Sequence, residues 1–345
     1  SKEAFSESVK MNTALIRKRI RNAKMKAEEK QVGRYSATTT ALLYLDGVVY
    51  QPICEEMRKR LNAFEVDGIE DGGMIEYLTR KKKEGRFPVY QTTERPDRAA
   101  QAILEGRVVL LTDNSPEALI FPATLNSLFQ TADDYYRNER IVTFLRLIRY
   151  VAAFLALALP GLYVAAATFH PQLLPGNLIR SMAEARSGVP FPTAAEVLLM
   201  ELSFELLREA GLRMPGPAGN TIGIVGGLIV GQAAVSANLV SPITVTVAAL
   251  TALGSFSIPN EELSEVFRLW KYGILLLGSC FGILGVMLGC FLLLMLMAEQ
   301  ESYGIPWLYP YVGGNLNERA DEKDSMFLAA ARKRKRRPIF AKWGN

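Results

Sequence analysis

The chain has 345 residues, of which 49% are hydrophobic and 22% are charged, and its formal net charge is +5. Its 3 cysteines and single histidine lack the spacing of a disulfide framework or a zinc site, so we expect no metal, no cofactor and no enzyme activity. The basic stretches lack the aromatic residues of a nucleic-acid platform, and we expect no nucleic-acid partner.

Residues 1–140 carry dense, mixed charge, as a soluble domain does. The composition predicts a strand at 41–50, helices at 52–66 and 95–106, and two strands within 107–123. Strands that alternate with helices are typical of an α/β domain. We therefore expect 1–140 to be a cytoplasmic α/β domain.

The middle of the chain contains three long runs without Lys, Arg, Asp or Glu, namely 150–169, 214–260 and 273–298. A bilayer core of about 30 Å requires roughly 20 apolar residues in a helix. The sequence therefore predicts an α-helical polytopic membrane domain at 141–300. A soluble protein with large buried helices is the alternative, but three such runs rarely share one soluble core. About four spanning helices are expected, at 150–169, 218–236, 242–258 and 273–298.

Basic residues flank both ends of this membrane domain. Arg137, Arg140, Arg146 and Arg149 precede the first span, and residues 332–337 read RKRKRR. Because Lys and Arg accumulate on the cytoplasmic side, we expect both termini in the cytoplasm and an even number of crossings. Residues 301–345 are then a cytoplasmic basic tail.

Glycines recur at helical spacing in two of the predicted spans. Small residues let helix backbones approach closely in lipid, where the backbone has no alternative hydrogen-bond partner. We expect these glycines to mediate helix packing: Gly219, Gly223, Gly227, Gly231, Gly278, Gly282, Gly285 and Gly289.

The opposite face of the 218–236 helix carries a mixed polar and apolar stripe, which we interpret as pore-lining: Thr221, Val225, Leu228, Gln232 and Ser236. A glutamine facing lipid would be costly, so a water-lined path is one interpretation. A hydrogen bond from Gln232 between two helices is the other. Val225 and Leu228, about one turn apart, could form an apolar constriction that closes by dewetting.

Residues 193–215 are predicted to form an amphipathic helix at the membrane interface. Glu201, Glu205 and Glu209 share one narrow arc of it. These carboxylates could form a vestibule that attracts cations. The alternative is a solvated stripe on an interfacial helix.

Several long segments together resemble the GerA family, the A subunits of bacterial spore germinant receptors. The resemblance is carried by FSESVKMNTALIRKRI (5–20), YQTTERPDRAAQAILEGR (90–107), LIFPATLNSLFQTADDYY (119–136), PFPTAAEVLLMELSFELLREAGLRMP (190–215) and VSPITVTVAALTALGSFSIP (240–259). Family members usually carry a further N-terminal cytoplasmic subdomain, which we expect upstream of Ser1.

The resemblance implies a multi-pass protein of the spore inner membrane, in contact with membrane lipid. It implies partnership with a transporter-like B subunit and a lipoprotein C subunit. The A subunits are expected to form a ring-shaped homo-oligomer, with a pentamer as one candidate, that acts as a nutrient-gated ion channel and releases cations. A paralogous branch, the stage V sporulation AF proteins, implies an amplifying ion channel instead.

A secondary transporter is the alternative of a different class. Transporters often contain two related halves with broken helices at matching positions. The sequence has no such internal repeat, and about four spans are few for one transporter chain. A membrane enzyme would need a nucleophile, base or metal set that the sequence lacks.

Overall fold

The computed structural model describes residues 3–81, 84–213, 217–312 and 324–328, without the side chains of residues 212, 217–225 and 228. The chain forms two compact units. Unit 1 contains residues 1–147 together with 296–345, and unit 2 contains residues 148–295. Unit 1 is therefore built from both ends of the chain.

Helices and strands alternate in the first part of the chain and helices follow one another in the second. The helices are α1 Val9–Arg19, α2 Gln51–Leu61, α3 Gly72–Thr79, α4 Pro96–Leu104, α5 Leu125–Phe129, α6 Glu139–Thr168, α7 Gly176–Arg186, α8 Thr193–Arg213, α9 Pro217–Ser236, α10 Pro242–Phe256, α11 Glu261–Phe281 and α12 Ile283–Glu299. The strands are β1 Met25–Val32, β2 Thr38–Leu45, β3 Gln91–Thr93, β4 Val108–Thr112, β5 Ala118–Phe121, β6 Glu301–Ser302 and β7 Ile305–Pro306.

Within the described residues of unit 1, five antiparallel strands form a sheet in the order β1-β2-β4-β5-β3. Successive side chains of a strand point to opposite faces. Leu43 accordingly packs with α1 and α4, whereas Leu42 and Tyr44 pack with Ile53 of α2. The sheet is covered by apolar clusters on both faces, and the expected α/β domain is confirmed, with the predicted strands and helices at β2, α2, α4, β4 and β5.

β1 was not predicted, because its sequence MKAEEKQV is mostly polar. It is an edge strand that pairs along its whole length with β2, from Met25 opposite Leu45 to Val32 opposite Thr38. Only its ends are buried, so its pairing rather than its hydropathy makes it a strand. Cys54 lies in the core beneath this sheet, and burial raises the pKa of its thiol to about 12, which leaves it unreactive.

The segment after α12 returns into the core of unit 1. Tyr303, Ile305 and Tyr309 join the apolar cluster on the α2 face of the sheet. The Trp307 side chain is fully buried and its indole Nε1 donates to Pro88 O at 2.7 Å. The sequence predicts a separate basic tail at 301–345. Of that range, the described residues 301–312 and 324–328 belong to unit 1, because the aromatic residues of 303–309 complete its core.

Six of the seven described helices with residues in unit 2, all except the short α7, run in alternating directions. Gly161 of α6 lies against Ile274 of α11, and Phe169 lies beside Gly282, so α6 and α11 are parallel. Gly254 near the end of α10 meets Ala152 and Ala156 in the first half of α6, so these two are antiparallel. The contacts between the other helices fit the same pattern, with α6, α9 and α11 in one direction and α8, α10 and α12 in the other.

The expected span at 273–298 is wrong as a single helix. α11 ends at Phe281 and α12 begins at Ile283, with Gly282 between them at φ +63° and ψ −143°. Such a positive φ is readily adopted only by glycine, and the chain reverses there. Gly285 and Gly289 of α12 consequently lie against Leu277 and Ile274 of α11.

The other three predicted spans correspond to helices, and they differ in length. The 150–169 span lies within α6, which among the described helices is the one long and apolar enough to cross a membrane by length and composition. The 242–258 span corresponds to α10, which has only 15 residues. The 218–236 span corresponds to α9.

The predicted interfacial helix is α8, and it is packed inside unit 2. Val197, Met200 and Glu201 of α8 are buried. The helix has neighbours on three sides, because it contacts α9, α10 and α11. The charges of this segment predict an amphipathic helix with a solvated face. In the structure, Glu201 and Glu205 instead pair with Lys271 and Arg268 of α11.

Candidate functional site

A cavity of about 1060 Å³ lies in unit 2 between α8, α9, α10 and α11. It brings together residues with three different predicted roles. Glu201 and Glu205 were expected in a vestibule, Gln232 and Ser236 in a pore, and two glycines of α9 in helix packing, and all of these line the cavity. Its apolar wall includes Phe204, Leu207, Val235, Val245, Leu253 and Phe256.

Glu201 of α8 forms a buried ion pair with Lys271 of α11. The Lys271 Nζ donates to Glu201 Oε2 at 2.6 Å, and the two side chains are 3% and 6% exposed. The two helices are antiparallel, so residues one turn later on α8 meet residues one turn earlier on α11. Removing one partner of such a pair would leave the other charge buried and uncompensated.

The next turn repeats the arrangement with Glu205 and Arg268. The Arg268 Nη1 donates to Glu205 Oε1 at 2.5 Å, and Glu265 lies 3.6 Å from Nη2 of the same guanidinium. Arg208, one turn after Phe204, stacks its guanidinium over the Phe256 ring at 5.1 Å from the centroid. The described lining therefore carries three cations and two carboxylates.

These pairs change what the predicted vestibule can do. Glu201 and Glu205 face cations at contact distance, so neither presents an uncompensated negative charge to a passing cation. Glu209 is outside the described lining of the cavity. It forms a surface pair with Arg213, four residues later on α8, at 2.7 Å. The three carboxylates thus lie in three different surroundings, although the helical wheel groups them.

The structure describes two of the five side chains in the predicted pore-lining stripe. Gln232 and Ser236 line the cavity, next to Val235. Thr221, Val225 and Leu228 belong to α9, but their side chains lie outside the described residues. The cavity therefore agrees with a polar face on α9, and the apolar constriction at Val225 and Leu228 stays a prediction.

The glycines of α9 allow close contacts with its neighbours inside the same chain. A Cβ built at Gly227 would lie 3.4 Å from Phe204 Cε1 of α8, and one at Gly231 would lie 3.3 Å from Val245 Cγ1 of α10. Gly226 is not among the predicted packing glycines, and a Cβ built there would be closer still, at 2.8 Å from Leu207 Cδ2. The surroundings of Gly219 and Gly223 lie outside what the structure describes.

The second glycine series lies on a hairpin rather than along one helix. A Cβ at Gly278 of α11 would lie 2.8 Å from Val286 Cγ2 and 3.0 Å from Gly161 O, and one at Gly285 of α12 would overlap Leu277 O. Gly289 similarly approaches Ile274 Cγ1 at 2.9 Å. These glycines bring α11 and α12 together, with Gly282 at the turn.

Sequence reasoning missed Glu196, the most buried carboxylate of α8. Its Oε2 accepts from Ser241 N at 2.9 Å and from Thr244 Oγ1 at 3.0 Å, and its Oε1 accepts from Arg186 Nε at 3.0 Å. The side chain caps the start of α10 and is fully buried. A single carboxylate in the apolar first turns of α8 was the available signal, and it was overlooked beside the later stripe.

No group of three or more His, Cys, Asp or Glu side chains that could hold a metal ion occurs among the described residues. The chemistry of the cavity is that of ion pairs, amides and hydroxyls in an apolar surrounding. Such groups can hydrate a path or hold helices together. The absence of cofactor and of enzyme activity stays a prediction.

A model of the Bacillus/Clostridium GerA spore germination protein family matches residues 1–340. The chain is 39% identical over 330 residues to the uncharacterized membrane protein YfkQ of Bacillus subtilis, covering 96% of this chain and 64% of YfkQ. It is 38% identical over 309 residues to spore germination protein A1 of the same bacterium, covering 90% of this chain and 64% of that protein. The chain thus spans less than two thirds of the length of each of these relatives.

Among solved structures, the chain resembles the crystal structure of the N-terminal domain of the A subunit of the Bacillus megaterium spore germinant receptor GerK3. The identity is 33% and the TM-score 0.28, over 36% of this chain and 98% of that domain. Because the family match extends from residue 1 to residue 340, the chain belongs to the GerA family of spore germination proteins.

Proposed function

We propose that this chain is an A subunit of a spore germinant receptor and that its unit 2 lines a gated ion path across the spore inner membrane. One observation carries the proposal for the site. In a member of a spore germination family, a cavity of about 1060 Å³ places Gln232 and Ser236 beside two ion pairs within an apolar helical unit.

The surface of unit 2 supports a membrane location. Large apolar side chains are exposed on its helices, whereas charged Glu196, Glu201 and Lys271 are buried. A soluble surface rarely presents such a wide apolar area, and lipid is the partner that fits one. The exposed side chains include Leu206, Leu253, Phe256, Leu269, Phe281, Leu284, Met287 and Phe291.

The chain order supports an even number of crossings. The chain leaves unit 1 after Leu147 and re-enters it at Leu296. A bilayer cannot divide one compact unit, so both connections lie on the same side of the membrane. We propose α6 as the first of these passes, because it is long and apolar enough to cross a membrane. We propose that unit 1 is cytoplasmic, because basic residues flank the first pass.

The ion path itself follows the polar face of α9. Gln232 and Ser236 can hydrate it, and Thr221, Val225 and Leu228 continue the same stripe in sequence. Val225 and Leu228 would form the dewetting constriction. Because Glu201 and Glu205 are paired with cations of α11, we propose that they hold α8 against α11 at the wall of the path. Glu209 is 57% exposed in its pair with Arg213, and we propose that it is the carboxylate of α8 most accessible to cations.

A complete path is expected to require several copies of the chain. Spore germination protein A1 and its named relatives are germination proteins. By this relationship we propose a ring of identical A subunits that works with the B and C subunits of the receptor. Cations would be released when a nutrient binds. If the chain belongs to the stage V sporulation AF branch, the proposed ion path is the same and the signal that opens it is different.

The test is cation flux through the full receptor in liposomes, with Gln232→Leu as the variant. We expect flux on stimulation to fall about tenfold or more, because an apolar side chain there favours dewetting. Ser203→Ala is the matched control, since its exposed hydroxyl bonds to Leu199 O of its own helix at 2.8 Å. Assembled Gln232→Leu receptor that conducts like the parent would refute α9 as the lining helix.

A further inference from the structure

Residues 324–328, with the sequence DSMFL, occupy a groove in unit 1 that the proposed ion path does not use. The groove is formed by α5, the short 3₁₀ helix 132–136 and the first two turns of α6. The segment itself is a tight turn, closed by an antiparallel bridge between Asp324 and Leu328. Ser325 and Leu328 are buried in the groove, whereas Phe327 is 62% exposed.

The groove binds the Asp324 carboxylate from two sides. The Arg146 Nη1 donates to Asp324 Oδ1 at 2.9 Å, and the Tyr135 hydroxyl lies 3.0 Å from Oδ2. Arg146 is 1% exposed, and its Nε also donates to Asp134 Oδ2 at 3.1 Å. A charge-assisted hydrogen bond to a buried guanidinium is among the stronger polar contacts in proteins.

The groove also binds the main chain of the segment. Asn126 Nδ2 and Gln130 Nε2 both donate to Asp324 O, at 2.9 Å and 2.8 Å. The Arg146 Nη1 donates to Ser325 O at 2.7 Å, and Leu328 N donates to Thr143 Oγ1 at 3.1 Å. Contacts to backbone carbonyls and to one carboxylate are how a protein selects a particular peptide conformation together with one side chain.

We propose that this groove is a peptide-docking site that recognises an aspartate at the first position of a tight turn. Its occupant is residues 324–328 of the same chain. The docked segment locks the first two turns of α6, because Arg146 and Thr143 lie on those turns and each bonds to it. α6 is also the helix that leaves unit 1 for unit 2, so the docked segment fixes the start of that helix.

The arrangement differs from an ordinary packed terminus in how specific the contacts are. A segment held only by apolar burial would tolerate a change of Asp324, because that carboxylate is not part of an apolar cluster. Here Asp324 contributes both its carboxylate and its carbonyl to the groove, through Arg146, Tyr135 and two amides. Removing the carboxylate should therefore release the segment while Asp134 still pairs with Arg146 and keeps the groove folded.

The first experiment is amide hydrogen exchange in the full chain in detergent. We expect Asp324→Ala to accelerate exchange about tenfold or more at 324–328 and at 139–147, since a hydrogen bond to a charged group is lost. Phe327→Ala is the matched control in the same turn, and its exposed ring should leave both regions unchanged. Unaltered exchange in Asp324→Ala would overturn the proposal.

A second experiment identifies the occupant. A chain with Thr143→Cys and Leu328→Cys, and with the native cysteines replaced by alanine, is treated with a short thiol cross-linker. Docking within one chain gives a cross-linked monomer on a denaturing gel, and adding Asp324→Ala should abolish it. A cross-linked dimer would overturn the assignment to the same chain, and no cross-link would overturn the docking site. Neither readout depends on ion conduction.

Discussion

Units 1 and 2 differ in where their large apolar side chains lie. Unit 1 buries Leu, Ile, Val and aromatic side chains on both faces of its sheet, and it also buries the ion pairs Arg60–Glu84 and Arg146–Asp134. Unit 2 has small apolar clusters, exposes large apolar side chains and buries Glu196, Glu201 and Lys271. Both units contain buried ion pairs, but extensive apolar burial organises the first, whereas the second relies more on close helix packing and on pairs such as Glu201–Lys271.

We expect the two units to be stable in different surroundings, unit 1 in water and unit 2 in lipid. Unit 1 gains stability by removing apolar area from water, at about 25 cal/mol per Å². Unit 2 leaves much of its apolar area outward, so in water it would lack that driving force. Its helices instead approach at glycines, as Gly161 approaches Gly278, and hydrogen bonds and ion pairs form between them. Such packing is typical of helices in lipid.

The largest expected effect is on the buried pair of unit 2. Lys271→Met leaves Glu201 buried without its cation, and we expect the free energy of unfolding in detergent to fall by about 3–5 kcal/mol. The double variant with Glu201→Leu should recover most of that loss. Thermal unfolding followed by circular dichroism measures both.

The control is a surface ion pair within α8, the helix that carries Glu201. Arg213 pairs with Glu209 four residues earlier, and its side chain is 79% exposed. We expect Arg213→Gln to change the free energy of unfolding by less than about 0.5 kcal/mol. If Lys271→Met were as mild as Arg213→Gln, polar pairing would not organise unit 2 and the contrast between the units would fail.

The second prediction concerns the outward apolar surface. Phe291 lies at the middle of α12 and is 63% exposed. We expect Phe291→Lys to weaken membrane insertion of that helix by about 3 kcal/mol. Tyr77 in unit 1 is 74% exposed, and Tyr77→Lys should change stability by no more than about 0.5 kcal/mol. A glycosylation-site insertion assay and thermal unfolding distinguish the two, and equal tolerance would refute a lipid-facing surface.

The smallest expected effect concerns alanine substitutions at two glycines of the α11–α12 hairpin. A Cβ at Gly285 would overlap Leu277 O, whereas one at Gly273 would meet nothing within 4 Å. We expect Gly285→Ala to destabilise the hairpin by about 1–3 kcal/mol. Gly273→Ala should stabilise it by up to about 1 kcal/mol, because alanine is the better helix former. Thermal unfolding in detergent should give shifts of opposite sign, and shifts of the same sign would show that close approach does not explain Gly285.

The sequence by itself determined most of the local structure. The β-rich composition of β2, the helical spacing of apolar residues in α2, the turn between β4 and β5 and the uncharged run of α6 each follow from a few neighbouring residues. The family, too, followed from ordered segments along the chain. Such features are local because hydropathy and turn chemistry act over a few residues.

Only the tertiary structure decided which distant residues meet. The sequence gives no sign that Glu201 pairs with Lys271, 70 residues later, or that Trp307 donates to Pro88. The break at Gly282 was equally hidden, because the same glycine series fits one straight helix or two packed ones. Helical spacing fixes the face on which a residue lies, but the partner of that face depends on how the whole chain folds back. For that reason the glutamates of α8 resembled a vestibule in sequence and form ion pairs in the structure.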